Sequence, residues 1–141
     1  MSKFVRFIFI ITISYQGMHS QNLSIPKNYS VIDSIKGDLD RDGIDEFVVA
    51  YNTEKEKDDY ESVPRELVIY KKSKDEWKVW KKSGQALYGS RGGGMMGDPY
   101  QGITIKNGSF SVEHYGGSAW RWTRIITYKY SKAENYWFLH K

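Results

Sequence analysis

From residue 29 onward, short runs with apolar side chains at every second place alternate with clusters of Gly, Asp, Asn and charged residues. A period of two belongs to strands with one face turned inward. Tyr29–Ile35 and Phe47–Asn52 read as a first pair, followed by Arg65–Lys71 and, after a turn at Asp75 and Glu76, by Trp77–Lys81. Ile103–Lys106 and Ser109–Val112 flank Asn107-Gly108, the two-residue turn that matches the right-handed twist of a hairpin. That turn sets Ile105 across from Phe110 and Ile103 across from Val112. Extended, the same register puts His114 across from Gln101, on the inward face. Trp120–Tyr130 is expected to be one long strand, with Trp120, Trp122, Arg124, Ile126, Tyr128 and Tyr130 on one side. Lys132 to Asn135 turns the chain and Tyr136–Leu139 closes it. No stretch carries a convincing helical period. The expectation is an all-β domain: an antiparallel meander of seven to eight strands, closed as a barrel or folded as a sandwich, and not a complete propeller.

The first twenty residues break this pattern. Lys3 and Arg6 precede the apolar run Phe7 to Ile13, which is too short to span a bilayer, and small or polar residues follow to Ser20. This is the pattern of a secretory signal peptide over 1–20. The expected product is a single domain over 21–141, secreted or periplasmic, with no membrane span after cleavage. The chain has no cysteine, so neither a lipobox anchor nor a disulfide framework is available. An exported chain without disulfides is held by its core and by any metal it binds.

One loop carries a specific chemistry. Gly37-Asp38-Leu39-Asp40-Arg41-Asp42-Gly43-Ile44-Asp45-Glu46 sets five carboxylates within nine residues. Such a crowd repels itself unless a cation sits inside it. Oxygens at the first, third and fifth places, a glycine for the sharp turn and a backbone carbonyl from Ile44 suit a hard cation, and Glu46 at the ninth place can close the shell. An EF-hand would need Glu at the twelfth place and a helix beyond it. Here the twelfth place is Val49 and a strand follows. The run Gly-Asp-Leu-Asp-Arg-Asp-Gly-Ile-Asp-Glu-Phe-Val-Val resembles the calcium loop of FG-GAP/VCBS-type, integrin-propeller-like repeats. The resemblance implies Ca2+ held by Asp38, Asp40, Asp42, the Ile44 carbonyl and Glu46. It covers about fifteen residues, in a single copy, and a propeller of about 4–8 blades does not fit 141 residues.

Charge narrows the partners. Without Lys3 and Arg6, 19 basic residues face 17 acidic ones. Eleven of the acidic residues fall between Asp33 and Glu61, and fourteen of the basic ones after Ser62. Basic residues interleaved with Trp and Tyr in an exported chain argue against nucleic acid. The polar run over residues 53–64 reads as a solvated connection.

A second candidate region combines the irregular glycine-rich loop over residues 83–99 with His114-Tyr115-Gly116-Gly117-Ser118-Ala119-Trp120-Arg121-Trp122. Both flank the open end of the Asn107-Gly108 hairpin. Arg91, Asp98, His114, Tyr115, Ser118, Trp120, Arg121 and Trp122 are therefore expected to line one ligand cleft, with flat aromatic faces and guanidinium forks suited to a carbohydrate or a protein surface. The alternative is that these aromatics are core and the glycines form a turn. His114, Ser118 and Asp98 assemble on paper as a hydrolase triad, but Ser118 lacks a nucleophile-elbow pattern and a triad is defined by geometry. The reading is a secreted calcium-binding interaction module and not an enzyme. A small extracytoplasmic hydrolase and a structural or inhibitory envelope protein are the alternatives.

Overall fold

Among the described residues, turns built on Lys74, Asn107-Gly108 and Asn135, all at positive φ, help cut the chain into eight strands. The computed structural model describes residues 23–140, so the expected signal peptide lies outside the described residues. The strands are β1 (Ser30–Gly37), β2 (Glu46–Asn52), β3 (Arg65–Ser73), β4 (Glu76–Ser83), β5 (Tyr100–Lys106), β6 (Ser109–Gly117), β7 (Arg121–Ser131) and β8 (Tyr136–Leu139). A 3-10 turn, Gly94–Met96, lies in the loop between β4 and β5.

The strands form two four-stranded sheets, β1-β2-β3-β4 and β5-β6-β7-β8, antiparallel throughout. The fold is all-β, and two separate sheets make a sandwich where the sequence left barrel and sandwich open. No helix among the described residues is long and apolar enough to cross a membrane.

The main core lies between the sheets. Leu39, Val48, Ala50, Leu67, Ile69, Ala86 and Leu87 meet Ile103, Phe110 and Val112, with Trp80, Tyr128 and Trp137 at the margin. β2 and β3 are buried on both faces: Val49, Tyr51, Val68 and Tyr70 form a second cluster, packed against by Leu23, Tyr29, Phe47 and Trp77. Double burial explains why these two strands read as near-continuous apolar runs. Their buried Tyr51 and Tyr70 hydroxyls bond each other at 2.9 Å.

Two sequence expectations shift. The hairpin register holds from Lys106↔Ser109 to Ile103↔Val112, but His114 pairs with Tyr100, not Gln101. A bulge lies between Tyr100 and Gly102, where Gly102 takes φ +151°; one extra residue on β5 moves every later pairing. Trp120 is not in the long strand. Ser118 N–H donates to Trp120 O at 3.1 Å, Gly117 takes φ +122°, and β7 starts only at Arg121. Trp120 is left 90% exposed at the turn.

Candidate metal centre

The acidic loop bridges β1 and β2. Leu39, fully buried, pegs it into the inter-sheet core. Gly43 at φ +87° makes the sharp turn that the spacing required. The carboxylates fold back on the loop's own amides: Asp42 N–H reaches Asp38 Oδ1 at 3.1 Å and Asp40 Oδ1 at 3.2 Å. Gly43 N–H reaches Asp38 Oδ2 at 2.9 Å, and Ile44 N–H reaches Asp42 Oδ1 at 2.8 Å. One oxygen each from Asp38, Asp40 and Asp42 then lies within 4.8 Å of the others. Ile44 has an exposed side chain, so only its backbone is available to the site.

Glu46 is the unusual member. It is 0% exposed, its Oε2 accepts Leu39 N–H at 2.8 Å, and its Oε1 is buried without a hydrogen-bond partner among the described residues. Burial pushes its carboxyl up from the ordinary value, against the Leu39 hydrogen bond that favours the charged form. Leaving a buried acceptor unpaired costs about 1–3 kcal/mol.

Lys71, at the inner face of β3, enters the cluster. Its ammonium bonds Asp40, lies 3.0 Å from Asp42 Oδ2 and 3.7 Å from Glu46 Oε1. Partial burial disfavours the charged ammonium, but the two aspartates outweigh it and raise its pKa. The Ile44 N–H, and then Lys71, hold Asp42 below the usual carboxylate range. With Glu46 ionised, the carboxylates of Asp38, Asp40, Asp42 and Glu46 oppose the single ammonium of Lys71, leaving three negative charges in excess. The sequence reading missed Lys71. The signal was there, since Lys71 continues the inward alternation of Leu67 and Ile69.

The loop is also tied to the second sheet. Arg41 Nη2 donates to Asn107 O at 2.8 Å, in the β5–β6 turn, and Lys132 Nζ donates to Arg41 O at 3.3 Å from the β7–β8 turn. A Cβ at Gly108 would lie 2.8 Å from Arg41 Nε, so the turn glycine also makes room for this dock.

The second candidate region is brought together at the backbone. Gly117 N–H donates to Gly93 O at 2.8 Å, and Tyr115 N–H to Pro99 O at 2.7 Å, so the glycine-rich loop lies along β6. The side chains are dispersed. Asp98 is bonded bidentately by the buried Arg65 at 2.7 and 2.6 Å. Burial raises its carboxyl, but Arg65 and the Tyr100 N–H prevail and hold it low. His114 is 0% exposed and its Nε2 accepts Tyr88 N–H at 3.3 Å. Arg91 turns to Glu56 at 3.5 Å, and Arg121 Nη1 donates to Tyr115 OH at 3.2 Å. The acid and the histidine of the paper triad are thus engaged with Arg65 and Tyr88, not with Ser118. A shallow depression on this face is lined by Tyr88, Trp122, Thr123 and Arg124, and Trp122 is the predicted residue that lines it. Arg124 donates there to Tyr88, a residue the sequence did not single out.

Compared with known families, curated proteins and solved structures, the chain matches none.

Proposed function

We propose that the 38–46 loop binds Ca2+ through Asp38, Asp40, Asp42, the Ile44 carbonyl and Glu46, and that the ion is structural in an exported interaction module. The observation that carries this reading is Glu46, fully buried with one oxygen that accepts no hydrogen bond among the described residues, beside three converging aspartates. All the donors are oxygens, which fits a hard cation and not zinc or copper. The residual negative charge favours a divalent ion. The docking of Arg41 on the β5–β6 turn supports a structural role, because an ordered loop holds the two sheets in register at that end.

The binding surface of the module is the face carrying Tyr88, Trp122 and Arg124, with Trp120 exposed nearby in sequence, and its partner is a carbohydrate or a protein surface. Flat aromatic faces beside guanidinium groups support stacking on such ligands. Export rests on the 1–20 pattern.

The test is calorimetric titration with CaCl2 alongside thermal unfolding. Extracellular calcium modules bind at roughly 0.1–1 mM, and a tenfold excess of ion stabilises by about 1.4 kcal/mol. The expected result is heat on titration, a melting temperature lowered by chelator, and loss of both effects in Asp40→Ala. No heat and no thermal shift at millimolar calcium would sink the reading.

A further inference from the structure

The role of Lys71 rests on the calcium proposal, which leaves that residue unassigned. β2 and β3 pair Phe47 with Tyr70 and Val48 with Ile69. One more step of this register sets Glu46 beside Lys71. By alternation, Glu46 shares its face with Val48 and Ala50, and Lys71 shares its face with Leu67 and Ile69; all four of these partners belong to the inter-sheet core. A lysine is thus delivered by strand geometry to the ninth place of the loop. Its ammonium contacts Asp40 and Asp42 but stops 3.7 Å short of Glu46 Oε1. The side chain is 33% exposed, with Nζ 5.0 Å from the centre of the Trp80 ring.

We infer that Lys71 is a tethered rival of the metal: its ammonium holds the acidic loop together without an ion and must leave those carboxylates for a divalent cation to enter. The two cations want the same lone pairs of Asp40 and Asp42, and at separations of about 3–4 Å they also repel each other strongly. The ammonium is a point charge on a flexible four-carbon stem with a solvent route outward, so it withdraws without moving the backbone. It satisfies the aspartates only in part and reaches Glu46 Oε1 only as a 3.7 Å ion pair without a hydrogen bond, which is the share that only a multiply coordinated ion takes up. Lys71 therefore sets the calcium concentration at which the loop loads. It also keeps the metal-free domain folded.

The test compares the wild-type chain, Lys71→Met and Lys71→Arg, each stripped with chelator and titrated with CaCl2 by calorimetry. Removing a charge-assisted competitor is expected to tighten calcium binding about tenfold in Lys71→Met. The same variant melts lower in chelator and gains more from calcium than wild type. Lys71→Arg stays within a few-fold of wild type. Trp fluorescence of the wild type shifts in step with calcium as the ammonium leaves Trp80; the shift is absent in Lys71→Met and in Trp80→Phe. If Lys71→Met folds only with calcium present, its affinity is read from the calcium midpoint of refolding, and Lys71→Gln is titrated as the milder variant. Equal affinity in wild type and Lys71→Met, or weaker binding in Lys71→Met, overturns the rivalry while leaving the calcium reading standing. No binding in any variant overturns both.

Discussion

At the scale of single residues, His114 is one group whose protonation the fold controls. Burial first, then the Arg65 charge, holds its pKa below the ordinary value of 6.5; Arg124 adds to this and Asp98 opposes it. Tyr88 and Tyr100 pack edge-on against the ring. Nε2 accepts the Tyr88 N–H, so the neutral ring carries its proton on Nδ1, which has no partner. A folded-state pKa below the unfolded one gives stability that is complete above about pH 6.5 and drains as pH falls through that value toward the folded pKa. Protonation also sets two donors, Nε2–H and Tyr88 N–H, against each other. The expected outcome is a melting temperature that falls as pH drops below about 6.5, with a slope that flattens in His114→Gln, measured by calorimetry across roughly pH 4.5 to 8. Glu46, raised by burial, acts with the opposite sign in acid, which is why the slope difference between the two proteins is the quantity to read.

At the scale of elements, the β5–β6 hairpin shows how a local code reaches its limit. Asn107-Gly108 dictates the pairing nearest the turn, and the bulge at Gly102 then moves His114 onto Tyr100. Gly102 takes φ +151° with nothing within 4 Å of where a Cβ would stand, so a substitution there meets backbone strain and not crowding. Gly102→Val is expected to cost about 1–3 kcal/mol, read as a lowered urea midpoint with unchanged slope. The glycine-rich loop before β5 is fastened by Arg65, whose side chain is 3% exposed, to the half-exposed Asp98. Asp98→Asn strands the Arg65 charge in the interior. Since Asp98 itself stays partly hydrated, the loss is expected to be about 2 kcal/mol, below the roughly 3–5 kcal/mol of a fully buried pair. Faster hydrogen exchange at Tyr88 and Ser90 is the local check.

At the scale of the whole molecule, two sheets share one core, and the acidic loop clamps one end of it. Phe110 belongs to the inter-sheet core with Val48, Leu67 and Ile69 of the first sheet, and within its own sheet it is stacked on Tyr128 at 5.1 Å and edge-on to Trp137 at 5.4 Å. Phe110→Ala is expected to cost about 3–5 kcal/mol. Because both sheets lean on that ring, unfolding should remain a single transition by circular dichroism and Trp fluorescence. Separate melts for the two probes would mean that the sheets are independent units.

The strands are written in local letters. Alternating burial and turn residues act over a few positions, so the eight elements, the Asn107-Gly108 hairpin and the acidic loop after β1 are legible to within about three residues at their ends, except β6, which runs on from Val112 to Gly117. How the sheets are arranged is settled by packing between distant strands. Barrel or sandwich depends on whether β4 pairs with β5 and β1 with β8, and no local pattern encodes that. Tertiary packing alone brought Lys71 from β3 to the carboxylates around Glu46, engaged Asp98 with Arg65 and enclosed His114, because those contacts join residues far apart along the chain. Short-range sterics write the elements into neighbouring letters; charge compensation and burial are settled between letters that only folding makes neighbours.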